Sequence, residues 1–300
     1  MWRVGYVSLG PPEGDHQWVV ALRQSLKDLG YVEGENLVFE QRHAFNQVAK
    51  VNGFVADLLS RKVDVLVVYG SPAIAAVKNY GSPVPIVMTV HADPVGSGIV
   101  QSLARPGGNV TGLTDGHADL APKRLEVFKE VVPSLSRVAV VFNPTTPHAM
   151  RQWNLTAAAG PRLGLSVVPA ELKAPEGIER AFALIAKERA DGVFLAPDPS
   201  WWNGHERRIA DLAIKNRLPA VGTVREFADH GVLVAYGTNF TELWRRSATY
   251  VDKIIRGAKP ADLPIEHPTR FDLVINLKTA KSLGISVPRA VVLRADRILE

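Results

Sequence analysis

The residues of this chain that are suited to meeting a small molecule stand singly at the ends of apolar runs, and their chemistry is recognition rather than bond making. Ser8 follows Arg3-Val4-Gly5-Tyr6-Val7, and Ser71 follows Val63 to Tyr69. Asp93 comes after Ile86 to Val90, Asn143 after Arg137 to Phe142, and Asp198 after Gly192 to Ala196. Thr223 closes the run from Ala220, and Tyr236 the run from Val232. Ser71-Pro72 opens a helix, so free N–H groups and the positive end of the helix dipole offer an anion site there, or serve as an ordinary cap. Asp93 either caps its own helix or takes a ligand ammonium. Asp198, between Pro197 and Pro199, has little local helix to cap, which favours a cleft role. The pair Trp201-Trp202 covers a ligand or packs on a neighbouring helix, and Tyr69, Phe227 and Tyr236 are the other candidate walls.

Catalytic signatures are missing. Gly96-Ser97-Gly98-Ile99-Val100-Gln101 lacks the third glycine of a dinucleotide fingerprint and follows Asp-Pro rather than a strand. The chain carries neither a phosphate-binding P-loop nor a G-x-S-x-G elbow. His205-Glu206-Arg207-Arg208-Ile209 has no second histidine for a zinc-protease helix, and the eight histidines show no ligand spacing. Nucleophile, base and orienter are nowhere grouped. These patterns predict no catalysis, no cofactor and no metal.

The 300 residues suggest about two domains. An apolar fraction of 46% and a charged fraction of 22% are ordinary for a globular protein, and no apolar run approaches the ~20 residues of a membrane span. The net charge of +5 is scattered along helix faces, with Arg207-Arg208 and Arg245-Arg246 among acids, so nucleic-acid binding is not expected. The absence of cysteine excludes disulfides and fits an oxidising compartment. No n-region and apolar h-region lie ahead of the first strand, which leaves a cytoplasmic protein or one whose signal segment precedes this sequence.

The elements that position these residues alternate strand and helix. Strands are expected at Arg3–Leu9, Asn36–Arg42, Val63–Tyr69 and from Ile86. Helices are expected around Trp18–Leu29, Val48–Arg61 and Ser71–Asn79. Asp93-Pro94 is expected to open a short helix that Pro106-Gly107-Gly108-Asn109 breaks, before Val110 to Leu113 leaves as a crossover into a second lobe. There Arg137-Val138-Ala139-Val140-Val141-Phe142 repeats the shape of Arg3-Val4-Gly5-Tyr6-Val7-Ser8. The alternation then resumes through strands near 166–170, 192–196, 220–223 and 232–236, a long helix capped by Thr241 and a last strand at Phe271–Asn276. Such alternation implies an α/β fold of two Rossmann-like lobes with parallel sheets, whose ligands bind beyond the strands' C-terminal ends.

Three stretches taken together resemble one family. They are Gly30-Tyr31-Val32-Glu33-Gly34-Glu35-Asn36-Leu37; Asp93-Pro94-Val95-Gly96-Ser97-Gly98 with Leu103-Ala104-Arg105-Pro106-Gly107-Gly108-Asn109-Val110-Thr111-Gly112; and Phe271-Asp272-Leu273-Val274-Ile275-Asn276-Leu277-Lys278-Thr279-Ala280. They are similar to substrate-binding proteins of ABC importers, in a branch where some members handle aromatic amino acids, and the likeness runs from Arg3 to the C-terminus. The resemblance implies a type I periplasmic-binding fold with a multi-crossing hinge and a ligand enclosed between lobes in the manner of a Venus flytrap. It also implies permease and ATPase partners and an extracytoplasmic, periplasmic location. Trp201-Trp202 departs from the small or aliphatic residues, or the Phe pair, usual in that loop.

The resulting expectation places lobe one at 1–114 plus 238–262 and lobe two at 115–237 plus 263–300. A monomeric solute receptor takes a small zwitterion, an apolar or aromatic amino acid. Ser71 binds the carboxylate, Asp198 or Asp93 the ammonium, and Ser8, Asn143 and Thr223 add hydrogen bonds. Tyr69, Trp201, Phe227 and Tyr236 wall the side chain. Contact with the membrane is peripheral, through the transporter only. The alternative is a cytoplasmic small-molecule sensor or enzyme on the same scaffold.

Overall fold

Unbroken burial along near-continuous apolar strands dictates a sheet covered on both faces. The structure, a computed structural model, describes residues 1–196 and 205–300. The chain divides into two compact units, Met1–Asp115 with Phe240–Thr269, and Gly116–Asn239 with Arg270–Glu300.

In the first unit, β1 (Trp2–Ser8), β2 (Leu37–His43), β3 (Val65–Tyr69), β4 (Ile86–His91) and β5 (Val110–Thr114) form a sheet in the order β2-β1-β3-β4-β5. Every pair in it is parallel. Val4, Tyr6, Val65 and Val67 face one core, and Val7, Leu66 and Val68 face the other. The first core is closed by α1 (Pro12–Asp28), through Trp18, Leu22 and Leu26, and by the helix Phe240–Ile255 (α9 in chain order), through Trp244, Ala248 and Val251. The second is closed by α2 (Val51–Ser60) and α3 (Ser71–Tyr80), through Val55, Leu58, Ile74 and Val77. Full burial of each such side chain contributes about 1.5–3 kcal/mol.

The second unit holds β6 (Arg137–Phe142), β7 (Ser166–Glu171), β8 (Gly192–Leu195), β9 (Ala220–Gly222), β10 (Val234–Thr238), β11 (Phe271–Asn276) and β12 (Arg297–Leu299), in the order β12-β11-β10-β9-β8-β6-β7. Its described helices are α4 (Ala121–Val131), α5 (Pro147–Ala159), α6 (Ile178–Lys187), α7 (Glu206–Lys215), α8 (Glu226–Asp229), α10 (Leu277–Leu283) and α11 (Arg289–Val292). Val138, Val140 and Phe142 join α4 and α5 in one core, while Ala139 and Val141 join α6 and α7 in the other.

The repeat between Arg3 and Arg137 has a structural counterpart. Asp64, just before β3, accepts from Arg3 N–H at 2.7 Å and returns its own N–H to Arg3 O at 2.8 Å. Asp191, just before β8, accepts from Arg137 N–H at 2.9 Å and donates to Arg137 O at 2.9 Å. Asp296, before β12, does the same with Leu273 of β11, both contacts at 2.8 Å. Each aspartate therefore satisfies a backbone amide of a neighbouring strand and sets the pairing register there.

Two expectations are corrected. Asp93 to Gly98 forms hydrogen-bonded turns, not a helix: Pro94 O accepts from Ile99 N–H and Val100 N–H, and Gly98 has a positive φ of 69°. The sheet of the second unit is also not wholly parallel, because β11 runs antiparallel to β10. The chain leaves this unit after Asn239 and re-enters at Arg270. The two points are adjacent, with Asn239 N–H donating to Arg270 O at 3.4 Å. A strand that starts where its neighbour ended must run the opposite way. Residues 263–269 belong to the first unit: Thr111 Oγ1 donates to Leu263 O at 2.7 Å, Ile265 N–H to Leu103 O at 2.7 Å, and Thr114 N–H to Glu266 O at 3.0 Å. Arg246 of α9 binds the Glu266 carboxylate through Nε at 2.7 Å and Nη2 at 2.9 Å.

Replacing Asp191 with Ala removes acceptors for Ser136 N–H, Ser136 Oγ and Arg137 N–H. The expected loss is about 2 kcal/mol, on the scale of hydrogen bonds to a charged group, read as a lower urea midpoint at unchanged slope. The Glu266 carboxyl is held below its usual value, first by the Arg246 hydrogen bond, with burial opposing. Its contribution is complete above the ordinary glutamate value of about 4.3 and is lost as pH falls through the lower folded value. E266Q is therefore expected to melt lower than wild type at neutral pH, with the gap closing as pH falls below about 4; a constant gap would contradict this.

Candidate functional site

In each unit the loops beyond the C-terminal ends of the strands carry the candidate side chains. In the first unit, Leu9 N–H donates to Tyr69 O at 3.1 Å and Ala44 N–H to Ser8 O at 2.8 Å, which fixes the loops after β1, β2 and β3 side by side. Gly70 makes the turn into α3 with φ 98°, and a Cβ there would stand 2.9 Å from Leu9 Cβ, so only glycine fits. Ser71 then sits at the first turn of α3, half-buried, with Pro72 beside it. Its place suits an anion, through the unpaired first-turn amides and the helix dipole.

Ser8 is fully buried and its hydroxyl accepts from Gly10 N–H at 3.1 Å, so it shapes its own loop. Asp93 Oδ1 accepts from Gly96 N–H at 2.8 Å, which closes the turn that stands where a helix was expected, and Oδ2 is left to accept another donor. Behind it lies His91, 4% exposed, whose Nδ1 accepts from Asp93 N–H at 3.0 Å. Since Nδ1 accepts, the neutral ring carries its proton on Nε2, which faces Ser97 Oγ at 3.5 Å. Tyr69 is half-buried and packs edge-on against Trp244, ring centroids 4.9 Å apart.

In the second unit, Asn143 is buried and its Oδ1 accepts from Thr145 N–H at 3.0 Å and Thr145 Oγ1 at 2.7 Å. It builds the turn that leads to α5. Thr223 is fully buried, and its hydroxyl has no hydrogen-bond partner among the described residues. The strand beside it comes unusually close: a Cβ on Gly237 would lie 1.7 Å from Thr223 O. Tyr236 is half-buried in β10, its ring 6.5 Å from that of Phe271. Phe227 is corrected from a wall to a core residue. It is 1% exposed, packs in the core with Ile209 and Val232, and covers Gly222, where a Cβ would meet its ring at 2.2 Å. Asp198 and Trp201 lie outside the described residues.

Sequence reasoning missed Arg124. It is fully buried on α4, donates from Nε to Tyr236 O at 2.6 Å and from Nη1 to His117 O at 3.5 Å, and stands 5.5 Å over the Phe194 ring. Carbonyls and an aromatic face are what a buried guanidinium requires. Its place in the helical pattern of α4 looked like a solvated face. Asp272 was missed as well: its Oδ2 accepts from Asn239 Nδ2 at 2.8 Å, which joins the strand that leaves the unit to the strand that returns. Among the described residues no group of three His, Cys, Asp or Glu is placed to hold a metal ion, and no helix is long and apolar enough to cross a membrane.

The arrangement supplies hydrogen-bond donors, one carboxylate oxygen and aromatic faces at strand ends, which is binding chemistry for a small polar solute. A tyrosine-binding protein of Clostridioides difficile is 23% identical over 262 residues, 87% of this chain and 75% of its own length. A conserved domain protein from Vibrio cholerae superposes with a TM-score of 0.89 at 28% identity over 99% of both chains. An ABC domain from Streptococcus pneumonia, solved in complex with L-Trp, gives 0.89 at 20% identity over 99% of both and shares the fold, that of type I periplasmic binding proteins. The family model for ABC transporter substrate binding proteins matches residues 13–299, nearly the whole sequence, and the chain belongs to that family.

Proposed function

We propose that this chain is the solute receptor of an ABC importer and that its ligand is a zwitterionic amino acid with an aromatic or other apolar side chain. The observation that carries the ligand class is the tyrosine-binding relative, which aligns along 87% of the chain. The loop chemistry supports it. Ser71 and the first amides of α3 take the carboxylate, Asp93 Oδ2 or Asp198 takes the ammonium, and the Thr223 hydroxyl meets a polar ligand atom. Ser8 and Asn143 hold their loops and present backbone groups. Tyr69, Tyr236 and Trp201 contribute aromatic surface. In this reading the protein works outside the cytoplasm as a monomer. It encloses the ligand between its lobes, hands it to permease and ATPase subunits, touches the membrane only through them, and uses no cofactor or catalysis.

A thermal-shift screen of the twenty amino acids, sugars and nucleosides tests the ligand class. A ligand at 100 times its Kd adds about 2.7 kcal/mol to the stability of the folded state, a shift of several degrees confined here to aromatic and branched amino acids. A response only to sugars or nucleosides would overturn the assignment. Thr223→Val gives a sharper signature. A buried hydroxyl without a partner costs roughly 1–3 kcal/mol, so the ligand-free variant is expected to melt higher than wild type while binding its amino acid about tenfold more weakly, a loss of about 1.4 kcal/mol. Lower stability with unchanged affinity would remove Thr223 from the site.

A further inference from the structure

The first unit carries four aromatic residues whose arrangement the ligand-binding loops do not explain. Tyr69 is the last residue of β3 and Phe240 the first of α9, and both are half-buried. Behind them lie Trp18 of α1, 7% exposed, and Trp244 of α9, fully buried. Each half-buried ring rests on both indoles. Tyr69 is 5.9 Å from Trp18 at 74° and 4.9 Å from Trp244 at 66°. Phe240 is 5.2 Å from Trp18 at 66° and 5.9 Å from Trp244 at 33°. The two indoles are 5.0 Å apart. Neither indole N–H has a hydrogen-bond partner among the described residues.

That last fact separates this cluster from ordinary core filling. Leucine or phenylalanine would occupy the same region without leaving a buried donor unsatisfied. What tryptophan supplies is a broad, rigid face whose quadrupole favours edge-to-face neighbours, and such neighbours fix the plane of a ring as well as its place. The rings so fixed are Tyr69 and Phe240. Tyr69 is two residues from Ser71, so an amino acid whose carboxylate lies at the start of α3 has its side chain within reach of these rings.

Resting on the amino-acid reading above, we infer that Tyr69 and Phe240 are the specificity-determining wall for a planar aromatic side chain, and that Trp18 and Trp244 are positioning residues that orient them. Phe240 opens the segment that returns to the first unit, 171 positions after Tyr69 in the sequence. A flat, oriented wall rewards a stacking ring more than a branched aliphatic group of similar area, so the wall sets selectivity rather than affinity for amino acids in general.

The test is calorimetric titration of the full chain with L-tryptophan, L-tyrosine and L-leucine, comparing wild type with F240L, Y69L and W244L. The ratio of aromatic to leucine affinity is the readout, because it does not depend on the fraction of protein that folds. F240L and Y69L are expected to lower that ratio tenfold or more with leucine affinity within threefold of wild type. W244L, which touches the ligand only through its neighbours, is expected to lower it about fivefold. W244F keeps one ring but not the broad indole face, and is expected to lower the ratio less than W244L does. An unchanged ratio in F240L and Y69L, or equal losses for all three ligands, overturns the inference and leaves the amino-acid reading standing. Failure of wild type to bind any amino acid overturns that reading first and the wall with it.

Discussion

A parallel strand has no hairpin to set its register, and the carboxylates before β3, β8 and β12 perform that task. Asp64, Asp191 and Asp296 each exchange a pair of hydrogen bonds with the backbone of the adjoining strand, at Arg3, Arg137 and Leu273. A slip of one residue would turn every side chain to the opposite face, exchanging Val65 and Val67 with Leu66 and Val68 between two different cores. Because these contacts lie where strands begin, they also determine what is presented where strands end. Ser71 follows β3 and Asn143 follows β6, two of the strands pinned in this way at the far edge.

The same logic governs the three places where the chain passes from one unit to the other. Each passage is paired locally within its own unit. Thr114 and Glu266 are joined by backbone contacts beside β5, and Asn239 and Arg270 meet beside β10. Asn239 Nδ2 adds a bond to Asp272, and Arg124 holds Tyr236 O from the opposite side. A guanidinium withdrawn from water would be costly unless its donors met acceptors. The carbonyl of Tyr236 and that of His117 lie close to two of the passages, so the buried charge is placed where backbone geometry has to be held.

Much of this was readable without coordinates, and the limits have physical causes. Unbroken apolar runs with polar ends gave strand identity and the edge at which the candidate residues stand, because burial on both faces leaves no other pattern. The motif Phe271 to Ala280 is one of the three stretches that together pointed to the family. In the fold its polar members act structurally: Asn276 accepts from Thr279 N–H at 2.9 Å to cap α10 and donates to Ala228 O at 2.9 Å, and Thr279 Oγ1 donates to Gly231 O. The direction of β11 was not readable, because it follows from where the returning chain enters. Phe227 was misassigned since a short turn after a strand looked like a loop, whereas its ring occupies the space that Gly222 leaves. In Val63-Asp64-Val65 and Ala190-Asp191-Gly192 the signal was present, an aspartate just before an apolar strand, and passed for surface charge; Asp296, followed by Arg297, lacked it.

The candidate site was legible as a list of positions but not as a division of labour. Ser8, Asn143 and Thr223 looked equivalent, each a small polar residue after a strand. Hydrogen-bond accounting separates them. Ser8 bonds Gly10 N–H, and Asn143 bonds both donors of Thr145, so part of their polar capacity is spent on the loops themselves. Thr223 buries its hydroxyl with nothing among the described residues to receive or supply a bond. Folding alone gains nothing from that arrangement, since a valine would fill the same volume without the desolvation penalty. A buried polar group that folding does not use, set at a strand end beside the candidate residues, is better accounted for by a partner that arrives later. The same accounting applies to the indoles of Trp18 and Trp244, whose unmet donors set the cost of keeping broad rings behind Tyr69 and Phe240.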